Sequence, residues 1–231
     1  MISSENVKKY DPDGMHDVYD RWSKLARDAY NSDIQVADFK NIDHVVFSGM
    51  GGSGAIGDLF ASILSKTNIH TTVVKGYTLP KTVNENTLVI CTSVSGNTDE
   101  TLTTLKTCTK LNCKTIGFSS GNMLENICKK NNIEYRKIPQ THSPRASFPS
   151  YVFSILKTIR TIIPIKEEDI NLSIDNIEKI ENRISSQNIS EENTSLNLAN
   201  WITGIPVIYF PWGLEASAIR FKNSLQENAK T

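Results

Sequence analysis

Two short stretches rich in glycine and hydroxyl residues contain the residue types that could bind a phosphate group. The first, Ser48–Gly54, has four glycines in seven residues and contains Ser53. The second has the sequence SVSGNT, and its hydroxyls belong to Ser93, Ser95 and Thr98. Hydroxyls and the backbone N–H groups at a helix start can satisfy all three acceptor oxygens of a phosphomonoester without a net positive charge. We therefore expect a phosphate, or another compact anion, near Ser53.

Each stretch lies between an apolar run and a helical pattern. Val45–Phe47 precedes the first stretch and Leu88–Thr92 precedes the second, and both are typical of buried strands. The pattern becomes helical from Ala55 and again from Asp99. Turns between parallel strands and the helices that follow them lie at the carboxyl edge of the sheet, where ligands bind. We expect the two stretches to meet at that edge.

Other interpretations of these stretches stay open on residue types alone. The glycines match the G-x-G-x-x-G pattern of dinucleotide folds twice, at Gly49, Gly51 and Gly54 and at Gly52, Gly54 and Gly57. The next strand ends at Lys75 instead of the acidic residue that usually holds the ribose, which weakens a dinucleotide site but leaves NADP open. A tight turn without a ligand is the alternative for the first stretch, and a plain helix cap is the alternative for Thr98.

Charge and composition narrow the class of protein. The 231 residues include 25 basic and 25 acidic ones, so no field of one sign attracts nucleic acid or an anionic membrane. The N-terminus is too polar for a signal peptide, and no apolar run is long enough to span a bilayer. The cysteines have no C-x-x-C spacing and no histidines placed to complete a metal site: Cys91, Cys108, Cys113 and Cys128. This favours reduced structural thiols in a cytoplasmic protein.

Strands alternate with helices over the first 138 residues, which predicts an α/β fold with a doubly wound parallel sheet. A helix over Asp17–Tyr30 is expected to precede the sheet. The predicted strands are Val45–Phe47, Thr71–Lys75, Leu88–Thr92, Lys114–Phe118 and Ile133–Ile138. The intervening helices are expected from Ala55, over Asp99–Lys110 and over Gly121–Asn131.

Beyond the predicted sheet the chain is mainly helical. Helices are expected over Ser150–Ile163, over Glu167–Gln187 and within Asn188–Asn200. Ile205–Phe210 (IPVIYF) then predicts a strand, followed by a turn at Gly213 and a helix from Leu214. The layout of the first half, with a strand, a glycine turn and a helix, is thereby repeated.

Four segments together resemble the sugar isomerase (SIS) domain family, and within it the archaeal-type bifunctional phosphoglucose/phosphomannose isomerases. They are GMGGSGAIGD from Gly49, TSVSGNTDETL from Thr92, SPRASF from Ser143 and RFKNSLQENAK from Arg220. The resemblance implies flavodoxin-like, three-layer SIS domains assembled as a homodimer. It divides the chain into a first SIS domain with its N-terminal helix (1–150), a helical connection (151–204) and the beginning of a second, truncated SIS domain (205–231).

The resemblance also implies roles for individual residues. The sugar phosphate would be bound by Gly52, Ser53, Ser93, Ser95 and Thr98. Arg145 would lie near the reacting carbons, and Glu227 would be the general base. A carboxylate can move a proton between neighbouring carbons through a cis-enediol intermediate, and a guanidinium can stabilise the enediolate oxygens. This chemistry requires no metal or redox cofactor. Without the resemblance, Glu227 would be a solvated carboxylate and Arg145 an ordinary loop cation.

One feature of the family has no counterpart here. The family opens the sugar ring with a histidine shortly after the ENAK segment, but the sequence ends four residues beyond Glu227. The four histidines occupy none of that motif's positions: His16, His44, His70 and His142. The sequence is therefore a fragment, a shortened reading frame or a natural truncation, and if it is complete, isomerisation would be weak or lost.

The leading hypothesis is an isomerase that interconverts glucose 6-phosphate, or mannose 6-phosphate, with fructose 6-phosphate. The alternatives are a sugar-phosphate-binding module without catalysis, such as a sensor or regulatory partner, and an NADP-dependent oxidoreductase.

Overall fold

The computed structural model describes residues 4–229. Its strands are β1 (His44–Ser48), β2 (His70–Val74), β3 (Thr87–Ser93), β4 (Lys114–Ser119) and β5 (Glu134–Lys137). Three short helices precede the sheet: α1 (Ser4–Tyr10), α2 (Met15–Tyr19) and α3 (Trp22–Asn31). The others are α4 (Gly51–Leu64), α5 (Asp99–Cys108), α6 (Asn122–Lys130), α7 (Phe148–Thr158), α8 (Glu167–Ile184), α9 (Thr194–Trp201) and α10 (Glu215–Ser224). A π-helical turn, Leu225–Ala229, follows α10 directly.

The five strands form one sheet in the order β2-β1-β3-β4-β5, and every neighbouring pair is parallel. The chain winds outward from β1 to β2 and then returns past β1 to β3. The pairing of Ser48 with Cys91 shows that β3 extends two residues past the end of β1. The predicted doubly wound parallel sheet is confirmed, and the loops after β1 and β3 leave the sheet at its topological switch point.

Helices cover both faces of the sheet and make three layers. Val45 and Phe47 of β1 face a core shared with α3, α4 and α7, whereas Val46 faces a second core shared with α5 and α6. All five residues of β1 and all seven of β3 are buried. Burial on both faces explains why these strands are continuous apolar runs in the sequence.

The helix expected over Asp17–Tyr30 is wrong as a single element, because the chain breaks it into α2 and α3. The break falls at Asp20, whose carboxylate accepts hydrogen bonds from the backbone N–H and the hydroxyl of Ser186. This contact spans 166 residues along the chain. A local helical pattern cannot reveal such a tertiary contact.

The helix after β1 starts four residues earlier than expected. It was predicted from Ala55, but α4 begins at Gly51, so that three of the clustered glycines lie inside its first turn. The segment outside regular structure is only Gly49 and Met50. The earlier start places Gly52 and Ser53 at the N-terminus of the helix.

Two predictions for the second half are also wrong in part. The apolar helix expected over Ser150–Ile163 runs over Phe148–Thr158, because Ile162 N–H bonds to Ile159 in a tight turn beyond it. Ile205–Phe210 forms no strand, because no strand of the described chain lies beside it to complete a ladder. The division at residues 150 and 204 stays a prediction, although α7 packs on the same core as the sheet.

His44, at the amino end of β1, has an environment that disfavours its protonated form. The residue is 5% exposed, and its ring lies 4.7 Å from the ring of His70 on β2. Burial, and next the neighbouring His70, lower the pKa of His44 below its usual 6.5. The unfolded chain therefore binds a proton on this side chain more readily than the native protein does.

We expect the free energy of unfolding to be highest above pH 6.5 and to fall as the pH drops below it, since protons favour the unfolded state. Urea unfolding at about pH 7.5 and about pH 5.5 measures this difference. His44→Asn should reduce it, whereas His142→Asn, in an exposed loop, should leave it unchanged. If the free energy of unfolding differs between the two pH values as much in His44→Asn as in the parent protein, protonation of His44 is not the cause.

Candidate active site

The loop after β1 presents a helix N-terminus with open space in front of it. Met50 caps α4 in an extended conformation, without a side-chain hydrogen bond to the helix. A side chain added at Gly51 or Gly52 would meet no atom within 4 Å. The first N–H groups of a helix have no intrahelical partner and carry partial positive charge. This start of α4 can therefore receive an anion on its backbone.

Gly49 brings α4 close to the end of β3. A Cβ atom at Gly49 would lie 2.9 Å from Ser53 Cβ and 3.0 Å from the carbonyl oxygen of Thr92. The first distance is shorter than real Cβ contacts and the second is among the tightest, so the approach favours glycine. Gly49 thus lies between Ser53, in the first turn of α4, and Thr92, which immediately precedes Ser93.

The loop after β3 gathers three hydroxyls. Ser93 Oγ lies 2.9 Å from Thr98 Oγ1 and 3.5 Å from Ser95 Oγ, and it accepts a hydrogen bond from Gly96 N–H at 3.1 Å. Thr98 is the N-cap residue of α5, yet its side chain makes no capping hydrogen bond. Thr98 is therefore not a plain helix cap, and a second helix N-terminus lies beside the hydroxyl cluster.

The hydroxyl loop is held in place from its other side by α6. Leu124 N–H donates to the carbonyl oxygen of Gly96 at 2.9 Å, and the Asn122 amide donates to the carbonyl oxygen of Ser95 at 2.8 Å. Gly96 itself has φ of +71° and lies against the carbonyl of Gly121. The positions of the hydroxyls thus depend on packing between two loops.

Arg145 and Glu227 are brought together although 82 positions separate them. Arg145 lies in the loop between β5 and α7, and its Nη1 is 3.3 Å from Glu227 Oε2. The same Nη1 donates to Asn228 Oδ1 at 3.0 Å. Both charged side chains keep contact with solvent, at 32% and 42% exposure, so a ligand could reach them.

The helix that precedes Glu227 packs on α4. Residues at the start of α10 line one groove with the C-terminal half of α4. This contact ties the segment that ends in Glu227 to the helix whose first turn contains Ser53.

Glu227 lies in the π-helical turn that follows α10. Such turns are rare and occur frequently at functional sites. The turn includes Asn228, so both partners of Arg145 come from it. Asn228 was missed by sequence reasoning, although it is the asparagine of the ENAK segment.

Lys75, whose type leaves an NADP site open, makes an internal contact. Its Nζ lies 2.7 Å from Asp58 Oδ2, and its aliphatic stem covers Gly54 in the first turn of α4. Asp58 is largely buried, and the ion pair links the end of β2 to α4. Within residues 4–229, no group of three or more His, Cys, Asp or Glu side chains is arranged to hold a metal ion.

Two family models match the sequence. The SIS domain model matches residues 38–157, which include the whole sheet, and the model of the bacterial phospho-glucose isomerase C-terminal SIS domain matches residues 191–231. The chain belongs to the SIS domain family. The hydroxyl cluster, the start of α4 and Arg145 all fall within the first match.

Curated relatives and solved structures agree with this family. The chain is 30% identical to a bifunctional phosphoglucose/phosphomannose isomerase of Aquifex aeolicus over 91% of its length and 60% of the relative's. It is also 30% identical to the D-glucosamine-6-phosphate 4-epimerase of Sulfolobus acidocaldarius, over 94% of its length and 66% of the relative's. The tagatose-6-phosphate ketose/aldose isomerase of Escherichia coli shares the fold, with a TM-score of 0.56 at 18% identity, over 97% of this chain and 63% of that one.

The SIS chain is shorter than these relatives, of which it spans about three fifths to two thirds. No helix among the described residues is long and apolar enough to cross a membrane.

Chemically, the site offers backbone N–H groups and hydroxyls for an anion, together with a carboxylate and a guanidinium.

The close fit at Gly96 generates a stability prediction. Gly96→Ala should lower the free energy of unfolding by about 2–4 kcal/mol, because alanine is strained at positive φ and its Cβ would meet the Gly121 carbonyl. Urea unfolding measures the change. Gly76→Ala is the matched control, since a Cβ there meets no atom within 4 Å. Equal stability of the two variants would show that the loops do not depend on this fit.

Proposed function

We propose that this SIS protein is an aldose–ketose isomerase, which interconverts glucose 6-phosphate, and mannose 6-phosphate as a second aldose, with fructose 6-phosphate. The observation that carries the proposal is the hydroxyl cluster after β3, beside a helix start with open space in front of it. The relatives named as bifunctional phosphoglucose/phosphomannose isomerases, five of which are 29–31% identical, support it.

In this proposal the phosphate lies across the switch point of the sheet. The backbone N–H group of Gly52 and the hydroxyl of Ser53 hold one side, because the backbone N–H of Ser53 already donates to the carbonyl oxygen of Met50 at 2.9 Å. The hydroxyls of Ser93, Ser95 and Thr98 hold the other side. Hydrogen bonds to a charged group are shorter and stronger than those between neutral groups. Because no cation is needed at this end, binding depends on the geometry of the two loops.

The sugar end would lie against Arg145 and Glu227. In the open-chain aldose, the Glu227 carboxylate takes the proton from C2 and returns it to C1, while the carbonyl moves from C1 to C2 through a cis-enediol. The Arg145 guanidinium stabilises the negative oxygen that forms between these steps. No ring-opening residue is assigned among residues 4–229.

A second domain is part of the proposal. Residues 205–231 would begin a second SIS domain, which the family match at residues 191–231 supports. The same proposal includes that the protein is a homodimer and that it is located in the cytoplasm, as expected from the sequence. Sugar-phosphate binding without catalysis is the second candidate, because the hydroxyl cluster after β3 would by itself support binding.

The relative from Sulfolobus acidocaldarius, named as a glucosamine-6-phosphate 4-epimerase, makes a different reaction worth testing on the same site. Epimerisation at C4 leaves an aldose as the product, so formation of fructose 6-phosphate distinguishes the two activities. Glucosamine 6-phosphate should therefore be supplied beside the three hexose phosphates in any turnover assay.

Calorimetry with fructose 6-phosphate tests the binding role of the hydroxyl cluster. Thr98→Val should raise the Kd about tenfold or more, because the phosphate loses a hydrogen bond to a charged acceptor. Thr103→Val, an exposed position on the same helix, should bind as the parent does. If the parent binds no phosphosugar, both the isomerase and the binding module are excluded.

Turnover tests the general base, in the longest reading frame that contains this chain. Glu227→Gln should lower kcat about 100-fold or more with little change in fructose 6-phosphate affinity, because the amide cannot accept the proton. Glu215→Gln, an exposed carboxylate at the start of α10, should have parental kcat. Isomerisation that survives Glu227→Gln would refute the assignment.

A further inference from the structure

Arg220 of α10 lies behind the Arg145–Glu227 pair, on two aromatic rings. Its guanidinium carbon is 4.9 Å from the centroid of the Phe148 ring and 5.9 Å from that of Trp22. The two rings are themselves stacked, with centroids 6.2 Å apart. Cations are attracted to aromatic faces at these distances. The head of Arg220 is thereby fixed to α3 and to the start of α7.

From this anchor, Arg220 holds the loop at Arg145 itself. Its Nη2 donates a hydrogen bond to the backbone carbonyl oxygen of Arg145 at 2.8 Å. The side chain of Arg145 then reaches back to Glu227 and Asn228, seven and eight residues after Arg220 in the same helical segment. These contacts form a closed ring, in which movement of Arg145 would require breaking the bond to Arg220 or the contacts with Glu227 and Asn228.

The guanidinium of Arg220 also carries a cost. Its Nε is buried and makes no hydrogen bond within residues 4–229. A buried N–H without a partner is unfavourable, and an apolar side chain of similar length would cover the rings without that penalty. Arg220 uses its ability to donate hydrogen bonds in its contact with the carbonyl oxygen of Arg145.

We propose that Arg220 is a positioning residue, which fixes Arg145 opposite Glu227 at the separation that the reacting carbons require. The effect on turnover rests on the proposed function, whereas the ordering of Arg145 does not. Arg220 acts through Arg145 and is not assigned a contact with substrate.

The first test measures the order of Arg145 directly. Arg220→Met keeps an unbranched side chain on the rings but removes the donors, so ¹⁵N relaxation of the Arg145 Nε–H should show a loss of order. Arg220→Lys, which keeps a cation with donors, should be intermediate. Unchanged relaxation of Arg145 in a folded Arg220→Met protein would overturn the proposal.

A matched control comes from Arg136 on β5. Its Nε donates to the backbone carbonyl of Gln35 at 2.9 Å, and its Nη1 pairs with Glu134 at 2.7 Å. Arg136→Met should therefore leave the Arg145 signal unchanged. Urea unfolding shows whether Arg220→Met is folded, and if it is not, Arg220→Lys against the parent supplies the comparison.

The second test separates positioning from substrate contact, in the longest reading frame that contains the chain. Arg220→Met should lower kcat about 10- to 100-fold with KM for fructose 6-phosphate within about twofold, since misplacement of a reacting group affects mainly the chemical step. Arg220→Lys should recover part of kcat. A raised KM with unchanged kcat would overturn the proposal in favour of substrate contact. Absence of turnover in the parent would refute the proposed function alone, because the relaxation measurement still decides the ordering of Arg145.

Discussion

The close approach of α4 to the end of β3 is the constraint on which the rest of the site depends. A parallel sheet in the order 2-1-3-4-5 separates the chain at the switch point, so the loops after β1 and β3 leave side by side. Adjacent loops make a binding site only if neither fills the space between them. Gly49 satisfies this condition, because any side chain there would collide with Ser53 or with the Thr92 carbonyl. The N-termini of two helices then share one edge of the sheet.

The distribution of charge follows from that geometry. Helix N–H groups and hydroxyls supply partial positive charge, so the anion end of the site needs no side-chain cation. Lys75, the cation whose stem lies on the first turn of α4, is already paired with Asp58. Full charges occur instead as the Arg145–Glu227 pair, which is neutral as a whole. In the proposed complex, this pair lies at the end of the phosphosugar where protons move.

The sheet could be predicted from the sequence because the signals that specify each strand lie within the strand and the turn next to it. Apolar runs and the glycine and hydroxyl turns between them fix five strands and their order of succession, and the structure shifts no strand end by more than one residue. The helix start at Gly51 could not be predicted in the same way. Clustered glycines usually break helices, and here the anion-binding turn and the helix are the same residues.

Contacts between distant parts of the chain explain the remaining differences. Asp20 bonds to Ser186 and breaks a helix that its own neighbours favour. Arg145 and Glu227 meet across 82 positions, and only the resemblance to a family indicated that they share a site. For the hydroxyl of Thr98, the sequence leaves two roles open. Its type and position suit a cap or a ligand equally well, and the 2.9 Å contact with Ser93 shows that it does not cap its helix.

The segment around Ile205 shows how a correct local pattern can fail to form its element. Ile205, Tyr209 and Trp212 are each more than 90% exposed, although their types favour a buried strand. A strand is stabilised by ladder hydrogen bonds and cross-strand packing, both of which need a neighbour. Leaving several large apolar side chains in water is unfavourable by about 1.5–3 kcal/mol for each one that could be fully buried. This unsatisfied apolar surface, within the region matched by the C-terminal SIS domain model, supports the proposal that a second domain begins here.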